Sequence, residues 1–328
     1  MTKLGYSLSS EELGPATLVR NAQRAEEAGF AFALISDHYH PWTDAQGQSP
    51  FVWSVIGAIA QATDRLVLGT GVTCPTVRMH PALVAQAAAT SAAMMPGRFF
   101  LGVGTGEALN EHITGEPWPA IETRLEMLEE AITVIRELWR GDEVTFYGDF
   151  FTVENARVYT LPDVLPPIMF AAGGATSAEL AGRIGDGLIS TSPDKDVVQT
   201  FEENGGRGKP CMGHLTCAYA DSEEDGVRIA MENWPNAGLP GQLGQELPRP
   251  AHFEQAAELV REDDLRSKII CGPDSRRHID AIEEFAAAGF DHVYVHQVGK
   301  EQEPFFHFYE QEVMPQLSLE PASAGVAS

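Results

Sequence analysis

Short apolar runs without in/out alternation recur along the chain, and stretches with apolar residues at helical spacing lie between them. The runs "KLGYSLS", "FALISDH", "LVLGTGVT", "RFFLGVGTG", "IMFAAGG", "GLISTS", "CMGHLTCAYA" and "HVYVHQ" read as strands. A strand that does not alternate is covered on both faces, as in a parallel sheet flanked by helices. Between the first two, "PATLVRNAQRAEEAG" places Leu18, Ala22, Ala25 and Ala28 on one face and closes on Gly29, a natural helix C-cap. "HPALVAQAAATSAAM" and "TRLEMLEEAITVIRELWRG" behave in the same way. The plan helix, Ala-Gly-Phe, strand, His occurs twice, in "AEEAGFAFALISDH" and "EFAAAGFDHVYVHQ". Repeating strand–helix units of this kind predict an α/β fold, a (β/α)8 TIM barrel forming a single domain over residues 1–318, with 319–328 as a flexible tail. A doubly wound open sheet is the alternative architecture.

Two stretches exceed a plain barrel, at about 107–166 and 221–266. The first contains "VTFYGDFFTVENARVY", a hairpin turning near Gly148-Asp149. The second carries the turn-rich "NWPNAGLPGQLGQELPRP". Insertions of this length on a barrel serve as lids or pocket walls.

Charge narrows the partners. The 22 Lys+Arg against 47 Asp+Glu give a net −25, which argues against nucleic acid or an anionic membrane and for a small-molecule substrate. An anionic ligand is still compatible, because backbone N–H groups at helix N-termini hold phosphates without basic side chains. Cys74, Cys211, Cys217 and Cys271 show neither C-x-x-C nor zinc-ligand spacing, so unpaired thiols in a reducing cytoplasm are expected. No apolar segment has signal-peptide or membrane-spanning length.

A barrel places its chemistry at the C-terminal ends of the strands. After the second run stand Ser36, Asp37, His38, Tyr39, His40 and Trp42. His38 suits proton acceptance near neutral pH, Asp37 suits orienting it or meeting a polar ligand edge, and Trp42 suits an apolar wall beside a planar ring. The fourth run ends in "GVGTGEALNE", whose Gly102, Gly104 and Gly106 miss the dinucleotide fingerprint because Glu107 stands where the third glycine belongs. Glycines followed by an acid instead suit a flat ligand with Glu107 at its edge. In "AAGGATSAE", Gly173-Gly174 precede a helix with Thr176 and Ser177 as expected caps, a phosphate cradle. In "STSPDK", Ser192 reads as N-cap and Pro193 as the first helical residue, a second anion site with Lys195 near it. Gly71-Val72, in "LGTGVTCPT", lies where the third strand must bend outward.

Taken in order, "SDHYHPW", "LGTGVTCPT", "RFFLGVGTGEALNE", "AAGG", "GDGLISTS" and "AGFDHVYVHQ" resemble the bacterial-luciferase-like superfamily. More closely, over residues 3–316, they are similar to its deazaflavin-dependent branch, the F420-dependent glucose-6-phosphate dehydrogenase group. The resemblance implies a barrel with insertions, a homodimer, and coenzyme F420, a 5-deazaflavin that accepts hydride and reacts poorly with oxygen. It implies a non-proline cis peptide at Gly71-Val72. It places Asp37, Gly71, Val72, Cys74, Gly106, Glu107 and Asn110 along the ring and ribityl chain, and Ala171, Ala172, Gly173, Gly174 and Thr191 at the phosphate side. By the same resemblance His38 is the catalytic base, Glu107 the acid beside the deazaflavin, and Trp42 the neighbour of the reacting centre. Lys195 and Arg266 match two members of the group's cationic trio for a sugar phosphate. The third falls in "GQLGQELPRP", where Gly244 or Gln245 replaces the expected lysine, and the "STSPDK" turn is one residue longer than the group's. The substrate therefore stays open between a sugar phosphate, a neutral sugar and another alcohol. Two other readings stand beside this one: an FMN-dependent monooxygenase, and a cofactor-binding barrel without turnover, which would be expected to lose the His/Glu pair.

Overall fold

In the computed structural model, residues 2–319 are described; the rest of the expected tail lies outside them. The strands are β1 (Lys3–Leu8), β2 (Phe32–Ile35), β3 (Val67–Thr70), β4 (Phe99–Val103), β5 (Val144–Tyr147), β6 (Thr152–Ala156), β7 (Ile168–Ala171), β8 (Gly187–Ser190), β9 (Cys211–Ala218), β10 (Ile270–Cys271) and β11 (His292–Gln297). Parallel pairing runs from β9 through β11, β1, β2, β3, β4 and β7 to β8, and β8 returns to β9, so the sheet closes on itself. Closure excludes the open doubly wound sheet; within this nine-stranded sheet the short β10, paired to the end of β9, stands outside the ring, and β5 and β6 form a separate sheet.

The strands are short and apolar because each is sandwiched. Outside, helices bury their apolar faces against them: helix Pro15–Ala28 buries Leu18, Ala22, Ala25 and Ala28 and ends on Gly29 with φ 93°. Inside, Phe32, Leu34, Val67, Phe100, Met169, Ile189, Met212 and Tyr294 form a separate buried cluster that plugs the lumen. Gly69 has no side chain because a Cβ there would lie 2.0 Å from the Phe100 ring. Above the plug the lining turns polar. Tyr294 and His296 alternate inward on β11, and His214 and Thr216 sit opposite them in register on β9.

The expected insertions are present. β5 and β6 form the antiparallel hairpin, and its turn is tied to helix Ile121–Leu138 by the Glu130 carboxylate, which accepts the Asp149, Phe150 and Phe151 N–H groups at 2.9, 3.0 and 2.7 Å. The hairpin thus lies against an outer helix and not over the strand ends. The second insertion has its own small core, including Leu239, Phe253, Val260, Leu265 and Ile269, on which Trp42 packs. Among the described residues no helix is long and apolar enough to cross a membrane.

Candidate active site

At the C-terminal ends of the strands lies a cavity of two lobes, about 770 and 610 Å³, which share His38, Gly71, Glu107, Thr191, His214 and Tyr294 in their walls. The loop after β2 is pinned at several points. Asp37 is buried, and its carboxylate accepts from Thr73 Oγ1 at 2.7 Å and Arg78 Nη2 at 2.9 Å. Asn110 Oδ1 accepts the Tyr39 and His40 N–H groups at 2.9 and 3.2 Å, while its Nδ2 donates to Glu107 Oε2 at 3.0 Å. One asparagine therefore sets the spacing between the His38 loop and Glu107.

The His38 ring is oriented by its own loop. Nδ1 donates to the His40 carbonyl at 3.2 Å; because a carbonyl only accepts, the proton sits on Nδ1 and the lone pair on Nε2. Nε2 lies 3.3 Å from Glu11 Oε1 and 3.9 Å from Glu107 Oε2. Trp42 tilts against the ring with centroids 5.0 Å apart. Glu11 is buried and held by Ser9 Oγ at 3.1 Å and Ser36 Oγ at 2.6 Å. His38 thus has a basic nitrogen facing the cavity and a carboxylate on each side to compensate a positive ring.

Neither Glu11 nor its neighbour Glu12 is among the residues singled out from the sequence. The signal was available: β1 is followed directly by "SSEEL", two carboxylates at a strand's C-terminal end. Glu12 Oε2 meets His296 Nε2 at 2.9 Å.

Every residue expected at the cofactor lines the smaller lobe: Asp37, Gly71, Val72, Cys74, Gly106, Glu107, Asn110, Ala171, Ala172, Gly173, Gly174 and Thr191. The Gly71-Val72 peptide is cis. Gly106 has φ 77°, and a Cβ there would come within 2.7 Å of Cys74 Sγ, so the wall is flat by necessity. Gly173 and Gly174 face open space, and helix Ala175–Ile184 starts at Gly174 with no side-chain cap. The expected caps are absent: Ser177 Oγ donates to the Gly174 carbonyl at 3.0 Å, which leaves the first-turn N–H groups open. At the end of β8 the reverse holds. Asp194, not Ser192, caps the short helix Lys195–Phe201, its carboxylate accepting from Asp196 N at 2.9 Å, so the second expected anion site is filled by the chain's own acid.

The larger lobe is walled by Trp42, Trp234, His214, His296 and three cations, Arg266, Lys268 and Arg277. Arg266 and Arg277 share the Glu223 carboxylate, Arg277 at 3.3 Å, and Lys268 Nζ donates to the Ala237 carbonyl at 2.7 Å. Lys195 is exposed and lies outside the walls of both lobes, because the Asp194 cap starts its helix just beyond Pro193. The expected substrate pair is thus only half assembled, by Arg266, with Lys268 and Arg277 as unforeseen neighbours.

Burial shifts several groups of this cavity, Cys74 and Glu111 among them. Cys74 is pushed well above the ordinary thiol range, chiefly by burial and then by Glu111, so it is a wall and not a nucleophile. Glu111 is raised to about 7, mainly by burial, with Arg78 opposing. The folded chain therefore holds this proton more tightly than the unfolded one, and the stability linked to it is full below the ordinary carboxylate range and lost as pH rises to about 7. The melting temperature of Glu111→Gln is expected to vary less between these limits than that of the wild type, as calorimetry across pH would record.

Residues 1–292 match the family described as luciferase-like monooxygenase. The F420-dependent glucose-6-phosphate dehydrogenase of Mycobacterium avium (strain 104) is 36% identical over 332 residues, 96% of this chain and 98% of that relative. The enzyme of that name from Mycobacterium tuberculosis (strain CDC 1551 / Oshkosh) is 34% identical over 334 residues, again 96% and 98%. A solved F420-dependent secondary alcohol dehydrogenase, in complex with an F420-acetone adduct, superposes with a TM-score of 0.89 at 32% identity over 95% of this chain and 98% of that one.

Proposed function

Because this chain belongs to the luciferase-like family, we propose that it is an F420-dependent dehydrogenase acting on the CH–OH group of a sugar, sugar phosphate or other alcohol. The observation that carries the reading is His38 Nε2, free of any neutral partner and flanked by Glu11 and Glu107 where the two lobes meet. The smaller lobe fits the cofactor: its flat wall at Gly106 admits a planar ring, and the uncapped helix beyond Gly173-Gly174 offers N–H groups to a phosphate. When bound, F420 supplies the hydride acceptor. His38 Nε2 takes the hydroxyl proton as the carbinol C–H pair departs and the O–H electrons form the carbonyl. Glu11 and Glu107 balance the imidazolium so formed, and Trp42 and Trp234 keep water from the reacting carbon. Glu107 also stands beside the ring site, where it can manage the proton that accompanies hydride transfer.

The deciding experiment is an anaerobic assay with F420, following its visible absorbance as sugars, sugar phosphates and simple alcohols are offered. Bleaching with any of them supports the reading; oxygen consumption by an FMN-loaded protein, without F420 binding, would overturn it. Arg266→Ala is expected to raise KM for phosphorylated donors by about 10-fold through loss of a charge-assisted contact. Lys195→Ala, at an exposed position, should change it less than about 2-fold. Steady-state kinetics on paired free and phosphorylated sugars would separate the two. The four buried, unpaired cysteines support a cytoplasmic setting, and the resemblance supports a homodimer; sedimentation at the mass of a 35.6 kDa monomer would refute the latter.

A further inference from the structure

His38 is carried on a loop, and the pins on either side of it belong to one connected set. Before it, Arg78 Nη2 donates to the Asp37 carbonyl at 3.0 Å and to Asp37 Oδ1 at 2.9 Å. The Asp37 carbonyl belongs to the planar peptide that leads into His38, so this contact directs the backbone as well as the acid. After it, Asn110 Oδ1 holds the Tyr39 and His40 N–H groups. Ser49 Oγ donates to the carbonyl of His38 itself at 2.8 Å. The circuit closes through Glu111, the residue next to Asn110. Its Oε2 accepts the Arg78 backbone N–H at 2.6 Å, and its Oε1 lies 3.5 Å from Arg78 Nε. Three rim loops, those after β2, β3 and β4, are thereby tied through one arginine.

The Arg78 side chain is 7% exposed, those of Asp37 and Glu111 are 1% exposed, and Arg78 Nε has no hydrogen-bond partner. A buried ionic set of this kind adds little to stability over a well-packed apolar one, so stability alone does not account for it. Direction does: a guanidinium is a rigid fork that fixes the groups it meets. Arg78 lines neither lobe of the cavity, so any part it plays in the reaction passes through its partners. We propose that Arg78 is a positioning residue of the dehydrogenation, holding His38 Nε2 between Glu11 and Glu107 by fixing the Asp37–His38 peptide and, through Glu111, the Asn110 turn.

This inference rests on the dehydrogenase reading, and its test separates the two. F420 binding by the wild type is measured first, by fluorescence titration; failure there removes the dehydrogenase reading. With F420 and donor saturating, Arg78→Gln should lower kcat by about 100-fold, the loss that a misplaced catalytic group brings, while KM for the donor changes less than about 3-fold. Arg78→Lys keeps the charge without the fork and should lose only about 10-fold. The same Arg78→Gln change made in His38→Ala should lower kcat further by less than about 3-fold, because nothing is left to position. Equal losses in the two backgrounds would overturn the inference, since general disorder of the rim does not depend on His38. A kcat unmoved by Arg78→Gln would overturn it too, with the dehydrogenase reading intact in both cases. If Arg78→Gln does not fold, Arg78→Lys is carried through the same cycle. If F420 does not bind, NMR of the His38 ring decides: resonances that broaden or split in Arg78→Lys support the positioning role, and unchanged ones overturn it.

Discussion

His38→Ala is expected to lower kcat by about 1,000-fold, within the range that a positioned general base contributes. The size follows from the surroundings of Nε2. It is the nitrogen whose lone pair the His40 carbonyl leaves free, and both acids near it, Glu11 at 3.3 Å and Glu107 at 3.9 Å, are carboxylates already engaged, Glu11 by Ser9 and Ser36 and Glu107 by Asn110. Water in the vacated space would be a far weaker and unoriented acceptor. F420 affinity should change by less than about 5-fold, because the ring site keeps its glycine wall and its open helix N-terminus. Stopped-flow bleaching with saturating F420 and donor would measure the first quantity, and fluorescence titration the second. Turnover near the wild-type rate would remove His38 from the mechanism.

Glu11→Gln should cost about 100-fold in kcat with KM changed little, the pattern of a contact that matters when charge develops. Gln keeps the shape of Glu11 and can still meet Ser9 and Ser36, so folding is not the expected casualty. What it loses is the negative charge 3.3 Å from the nitrogen that becomes positive. Glu11→Asp, which restores the charge at a longer reach, should recover part of the rate. An equal loss in both variants would point to packing and not to charge.

Much of this site was legible because its parts are local. A strand end, a glycine turn and the two or three residues after it are contiguous, so "SDHYHPW", "GTGEALNE" and "AAGG" could be read as chemistry presented at a rim before any fold was known. Those segments supply much of the smaller lobe's wall, Asp37, His38, Glu107, Asn110 and the glycines among it, while Gly71, Thr191, His214 and Tyr294 come from elsewhere. Lys195 shows the limit of the same logic. One acid at Asp194 captures the helix N-terminus and starts the helix two residues later than Ser192-Pro193 suggests, leaving the lysine on the surface. Cap competition of this kind is settled by local hydrogen bonding that residue type alone does not rank.

By itself, then, the chain's order of apolar runs determined a parallel α/β fold and which segments end at strand C-termini, since those depend on period and turn chemistry, while closure of the sheet through the β8–β9 pairing was decided by tertiary structure. Tertiary structure alone decided which acid meets which histidine. Glu12 and His296 are 284 positions apart, and they touch only because β1 and β11 lie side by side when the ring closes. Glu11 reaches His38 for the related reason that β1 also borders β2. A carboxylate's partner is fixed by a few ångströms of register between strands, and register between distant strands is a property of the closed sheet and not of either segment alone.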